Sequence, residues 1–512
     1  MHPVSLDGAK GAGYNLLVKP WDSNTFTDGA TLSLAAALVR RYAQENWNEV
    51  PPMWNEKTLA VAEPKDFVFG SAPRPVVCRN GLTLGGGEVV PELNFTLPPM
   101  TLDEANYPEA LAHYRQMVTG ALTRACQLHA SGVVVEVELL PPMTLRPEWG
   151  IETTKVVRDI MADFEANRGL KSALRLTPND TREFSRPPVL RSGPQLEGML
   201  RTFEGAARAG ADFLAIESTG GKELHDDALL NADLRQVVFC LGVLGARDMD
   251  FLWRHIVVIA RQNGSHAAGD SACGFANTAM VLADRGMLPE VFAAVVRVVS
   301  VSRSLVAYRV GAVGPSKDCA YEGPFLKAIA GVPIAMEGKS AACAHLSPVG
   351  NVAACVADLW SNESVQNVML LADMAPTVSM EQLIYDCRLM NTARHAGDDD
   401  ALRLQRWLAD SDSALSPQAY VLRPDVVLEL SRVIASRTDP YEQAKLGARA
   451  AVNALRRATA NQELALSQRE YRWLDRMEEQ LDELPDDAEA CWQLLKPELD
   501  ASRFLPAEYG LA

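Results

Sequence analysis

Residues 132–177, GVVVEVELLPPMTLRPEWGIETTKVVRDIMADFEANRGLKSALRLT, hold a short apolar run, a longer amphipathic one and a second short apolar run. The outer runs, 132–138 and 173–177, are rich in Val and Leu and read as buried strands, while 152–167 has the length and spacing of a helix. Strand, helix, strand in that order is the repeating unit of a parallel α/β fold.

The same alternation extends from about residue 65 to 400. Further strands are expected at 212–217, 265–270, 304–308 and 332–336, and further helices at 103–128, 194–209, 248–261, 288–299 and 349–371. That makes six strand–helix steps, and an early strand near 89–95 and a late one near 367–372, which competes with the last helix, would complete eight. The expected architecture is therefore α/β, a (β/α)8 TIM-type barrel over residues 61–400. Residues 1–60, with one helix at 30–47, form an N-terminal extension, and 401–512 a helical C-terminal region packed on the barrel. The acidic run at 476–489 reads as a solvated helical face and turn.

A chain of 512 residues that is 48% hydrophobic and 22% charged has ordinary globular composition. Its 49 basic against 65 acidic residues give a net charge of −16, which disfavours nucleic acid and anionic lipid as partners. No uninterrupted apolar run approaches the roughly 18–20 residues of a membrane span, and the N-terminus lacks a basic segment with an apolar core behind it. A cytoplasmic protein is expected. Its nine cysteines do not form the dense framework of a secreted mini-protein, so reduced thiols are the default.

Three residues stand just past apolar runs: Glu217, Cys273 and Cys319. Loops that follow barrel strands carry the chemistry of such enzymes. One carboxylate and two thiols suit zinc, and three protein ligands leave the open position that a catalytic zinc needs. Glycines lie beside each of them, at 220–221, 269 and 311–315, where backbone turns tightly. A buried cysteine is more often a small apolar filler, and Cys355 and Cys387, on helices, read that way. Asp270 and Asn277 bracket Cys273 and are candidates to hold its geometry, with helix capping the alternative for Asp270. Lys317 and Asp318 adjoin Cys319, as loop-orienting groups or as a solvated charge pair. Glu136 and Glu138 sit in an apolar strand, and one of them, with Glu136 favoured, is expected to face the site, since a buried carboxylate is costly unless used. Glu337 is a further candidate for facing substrate. Cys343 and His345 have ligand-like spacing but read as packing near the pocket.

The stretches AIESTGGKE (215–223), AGDSACGFANTAM (268–280), RSLVAYRVGAVGPSKDCAYE (303–322), MEGKSAACAH (336–345) and LWSNESV (359–365) resemble the zinc-binding catalytic subunit of methanol:corrinoid methyltransferases. Weaker matches, from EVVPELNF (88–95) to PAEYG (506–510), extend the resemblance from about residue 60 to 512. The resemblance implies zinc held by Glu217, Cys273 and Cys319. It also implies methyl transfer from methanol to the cobalt(I) of a corrinoid supplied by a partner protein, and a homodimer joined to two corrinoid subunits. Leu176 stands where the family text leads one to expect histidine, a change expected to alter the pocket. A different small methoxy or methylated donor, or zinc-dependent hydrolysis, is the alternative activity.

Overall fold

The computed structural model describes residues 57–512 except 98–99, 320, 366–367 and 372. The helix expected at 30–47 lies outside the described residues. An antiparallel hairpin, β1 (Ser71–Val77) and β2 (Thr83–Gly86), precedes seven parallel strands: β3 (Val90–Thr96), β4 (Val133–Glu138), β5 (Ser172–Thr177), β6 (Phe213–Leu214), β7 (His266–Ala267), β8 (Ala335–Glu337) and β9 (Leu359–Val365). Their order in the sheet is β7-β6-β5-β4-β3-β9-β8, so the sheet curls with β7 and β8 as its two edges.

Residues 313–316 fill the gap between those edges. Val313 N and Gly314 N donate to the carbonyls of Ala267 and Ala268 at 2.8 and 2.7 Å, and Ser316 forms a parallel bridge with Ile334, just before β8. This run takes the eighth place of a barrel-like α/β fold, but it does not ladder as a regular strand. Pro315 has no N–H to give, and Gly314, at φ 86°, would carry a Cβ only 2.8 Å from the Pro333 carbonyl.

The strand expected at 304–308 is instead the last part of a helix, Glu290–Arg309. Its sequence is apolar on nearly every side because the helix is buried between the barrel and the C-terminal helices, and periodicity cannot separate such a helix from a buried strand. By length and composition this helix is apolar enough to cross a membrane, and it lies wholly inside the fold. The helix expected at 349–371 does not form either. That stretch holds a 3-10 turn, Val352–Val356, and then β9, so the late strand falls at 359–365 rather than near 367–372. Its Ser361, Asn362 and Glu363 hide it from an apolar-run search because two of the three face the barrel interior.

Along each strand, alternate residues point outward under the helices and inward to the barrel axis. Leu93, Phe95, Val135, Val137, Leu174 and Leu176 belong to the outer core. Leu176 thus points away from the site, and the change noted at that position does not alter the pocket lining. The inward residues form layers. Val90, Val134, Ala173, Phe213, Ala335 and Leu359 make an apolar floor against Leu82 and Leu84 of the hairpin region. Above it Glu92 and Arg175, both fully buried, pair at 2.9 Å, and Arg175 also donates to the carbonyls of Pro315 and Ser316 at 3.1 Å each. One guanidinium thereby anchors the barrel-closing run just before Cys319.

Beyond β9, helices follow one another to the C-terminus. Pro440–Ala460 packs along Glu290–Arg309. The acidic run at 476–489 ends the helix Gln468–Glu483, and Asp487 caps the next, Ala488–Leu495, by accepting from Ala490 N at 2.8 Å.

Candidate metal centre

Glu217 follows β6, Cys273 opens the helix Cys273–Asp284 after β7, and Cys319 follows the barrel-closing run. Three consecutive positions of the barrel thus deliver one candidate ligand each to the C-terminal mouth. A carboxylate oxygen of Glu217 and the two sulfurs lie within 4.8 Å of one another. Two thiol sulfurs and one carboxylate oxygen converging at that spacing fit zinc by donor type and count. Cys273 stands in the first turn of its helix, and Asn277 Nδ2 donates to its sulfur at 3.1 Å. Cys319 has φ 63° and Tyr321 φ 66°, left-handed values uncommon outside glycine, so the backbone at this ligand is strained. Tyr321 is held by its hydroxyl, which donates to Glu337 Oε2 at 2.6 Å, and by the Arg297 guanidinium 4.8 Å above its ring.

Cys273 and Cys319 are paired as a disulfide with Cα atoms 5.6 Å apart, a separation that suits such a bond. Metal binding would require both as thiolates, so a disulfide and a bound metal would be alternative states of the same pair. The metal-loaded chain, unfolded in denaturant, is expected to titrate all nine thiols, and the metal-free, oxidised chain only seven. Nine thiols in both preparations would show that the pair does not close.

Lys317, 3% exposed, stands among four carboxylates: Glu138 at 2.6 Å, Glu217 at 3.1 Å, Glu136 at 3.5 Å and Asp318 at 3.6 Å. Burial works to lower its pKa, and the carboxylates outweigh that and hold the ammonium well above its usual value. Lys317 and Asp318 are therefore interior groups and not a solvated pair. Both Glu136 and Glu138 reach Lys317, as residues two apart on one strand must share a face. Burial pushes the Glu217 carboxyl up to about 7 against the pull of Lys317, and Glu337 likewise to about 7 against His345.

Asp270 does not cap the helix after it. Its Oδ2 accepts from Ser218 N at 3.1 Å, Ser218 Oγ at 2.6 Å and Trp253 Nε1 at 3.4 Å, which ties the loop of Cys273 to that of Glu217. Arg303 Nη2, 3.4 Å from the same carboxylate, donates to the Ser218 carbonyl at 2.7 Å. Arg303 lies on the helix misread in part as a strand, and no local pattern singles it out. His345 Nε2 stands 3.1 Å from Glu363 and 3.6 Å from Glu337, whereas Cys343 is exposed. Cys355 and Cys387 are buried in the core.

The model of the family described as methanol-cobalamin methyltransferase B subunit matches residues 55–510. The methanol–corrinoid protein co-methyltransferase of Methanosarcina barkeri is 35% identical over 459 residues, covering 88% of this chain and 98% of that protein. A chain in the crystal structure of the methanol:cobalamin methyltransferase complex MtaBC from the same organism matches with a TM-score of 0.84 at 35% identity, covering 89% of this chain and 99% of its own. With the family match spanning nearly the whole described chain, and with a relative and a solved structure matched almost end to end, the chain belongs to the methanol-cobalamin methyltransferase B subunit family.

Proposed function

We propose that this chain transfers the methyl group of methanol to the cobalt(I) of a corrinoid held by a partner protein, using zinc bound by Glu217, Cys273 and Cys319. The observation that carries this reading is the convergence of those three donors at the barrel mouth in a chain whose relatives are named for that reaction. Bound zinc would supply Lewis-acid polarisation of the alcohol oxygen, without which hydroxide is a poor leaving group. The chain's own residues would do the positioning. Asn277 steadies the Cys273 sulfur, Asp270 and Arg303 hold Ser218 beside Glu217, and Lys317 offsets the charge of a site that gathers four carboxylates and two thiols. Preorganised charge of this kind needs no rearrangement as the C–O bond breaks. We further propose cytoplasmic work as a homodimer joined to corrinoid subunits, with residues 1–60 an appendage to this machinery.

The test is methyl transfer by purified, zinc-loaded chain from methanol to reduced cobalamin or to a reduced corrinoid protein. Methylcobalamin formed in proportion to methanol is expected. If zinc is bound and methanol is inert while another small methoxy or methylated compound reacts, the donor is wrong and the chemistry stands. Ester or amide hydrolysis without methyl transfer would replace the reading by a hydrolytic one.

A further inference from the structure

The loop after β6 is tied down by groups from four parts of the chain, all outside the ligand set. Asp180 Oδ2 accepts from Thr219 N at 3.0 Å and Thr219 Oγ1 at 3.2 Å, while Asp270 and Arg303 hold Ser218 as described. The fourth tether comes from far along the sequence: Gly221 N donates to the Tyr509 hydroxyl at 2.9 Å. The segment carrying Tyr509 is itself firmly seated. Glu508 Oε2 accepts from Leu190 N and Arg191 N at 2.9 and 2.7 Å, Arg247 Nη1 donates to the carbonyls of Tyr509 and Gly510 at 3.1 and 3.2 Å, and Trp492 Nε1 donates to the Ala512 carbonyl at 3.0 Å. Residues 508–512 thus join the loop after β5 to the loop that bears Glu217.

The loop has no slack. Gly221 sits at φ 85°, where a Cβ would meet Leu244 Cβ at 2.9 Å, and a Cβ on Gly220 would meet Asp248 at 2.4 Å. Gly221 stands four residues along the backbone from Glu217, with Ser218 and Thr219, held by Asp270, Arg303 and Asp180, between them, so the course of the whole loop depends on these tethers together. The hydroxyl is a fitting tether at this place: burial and the nearby Asp248 keep it protonated, so it accepts the Gly221 N–H without adding negative charge there.

We propose that Tyr509 is a positioning residue of the metal centre: by accepting the Gly221 N–H it sets the course of the loop and hence where the Glu217 carboxylate stands relative to Cys273 and Cys319. The proposal rests on the three-ligand reading above. Replacing groups that orient metal ligands costs roughly 10–100-fold in metal affinity, and a tether acting through backbone belongs at about tenfold.

The experiment measures zinc affinity of the full chain by chelator competition, together with the visible d–d absorption of the cobalt(II)-substituted chain, for wild type, Tyr509→Phe and Tyr441→Phe. Tyr441, also buried, donates to the Pro485 carbonyl at 2.7 Å and not to the loop of Glu217, so its variant loses a buried hydroxyl without removing a tether of that loop. Expected is zinc binding about tenfold weaker and an altered cobalt spectrum in Tyr509→Phe alone. Equal zinc affinity and spectra in wild type and Tyr509→Phe, or the same change in both variants, would overturn the proposal. A wild type that binds no zinc would overturn the ligand reading along with it, so the two failures are told apart. If Tyr509→Phe does not fold, Glu508→Gln, which loosens the seat of the same segment, decides: weaker zinc binding supports the proposal and unchanged binding sinks it.

Discussion

Cys319→Ala is expected to cost the chain its metal and its methyl transfer together. One of the three proposed ligands is removed, from the loop where the backbone is strained and where Tyr321 and Arg297 already fix the approach. Among the described residues the carboxylates nearest Cys319 are Asp318 and Glu337, which pair with Lys317 and with Tyr321 and His345, and neither offers a thiolate. Zinc is expected to fall from about one per chain to near zero after dialysis against a mild chelator. Since Lewis-acid stabilisation contributes several kcal/mol, methyl transfer should drop about 10³-fold or more. The fold should survive, because the outer core and the Arg175 anchor are untouched. Metal analysis beside a circular dichroism melt checks both halves. A variant that retains one zinc per chain would remove Cys319 from the ligand set.

Arg182→Met is expected to produce the largest loss of stability. Arg182 is fully buried and grips two buried carboxylates, reaching Asp180 at 2.8 and 2.8 Å and Asp248 at 2.8 and 2.9 Å. Removing one member of a buried ionic set leaves uncompensated charge and costs about 3–5 kcal/mol, a large part of the ~5–15 kcal/mol typical of a folded protein. The midpoint of urea unfolding should fall accordingly.

The pH dependence separates this mechanism from simple loss of packing. Burial works to raise Asp180, and the guanidinium outweighs it, so the folded pKa lies below its ordinary 3.8. In the wild type that contribution is complete above about 3.8 and is lost as pH falls through the depressed value. In Arg182→Met the guanidinium is gone and burial, the largest influence, is opposed only by the bonds that Thr219 and the backbone N–H of position 182 donate, so the folded pKa is expected to rise above the unfolded one and the folded state to gain stability as pH falls. The gap between variant and wild type should therefore narrow from pH 7 to pH 5. A gap that stays constant would assign the loss to packing alone.

The parts of the fold that could be read from sequence were those where one local rule acts by itself. Strands β3, β4 and β5 declare themselves because their outward faces are Val and Leu, and Glu217, Cys273 and Cys319 stand out as polar groups following apolar runs. Reading failed where the surroundings overrode the pattern. The helix Glu290–Arg309 is apolar all round because it is covered all round, β9 is polar because it faces a polar interior, and the eighth barrel place is filled by a run that proline and glycine disguise as a loop. The groups that brace the ligands were the least legible. Arg303 meets Ser218 across 85 residues and Tyr509 meets Gly221 across 288, and partners so distant leave no mark on local spacing. Lys317 could be read as loop-orienting or as solvated because charge is usually exposed, and four converging carboxylates are what draw it inside.

The apolar floor sealed by the β1–β2 hairpin has a consequence for traffic. The barrel is a blind-ended well: a buried ion pair blocks its middle, and its polar lining lies at one rim. Among the described residues the floor and the ion pair close the barrel from below, so a small molecule and a large partner would both come to the site from the rim side, and a partner resting there would stand in the small molecule's path.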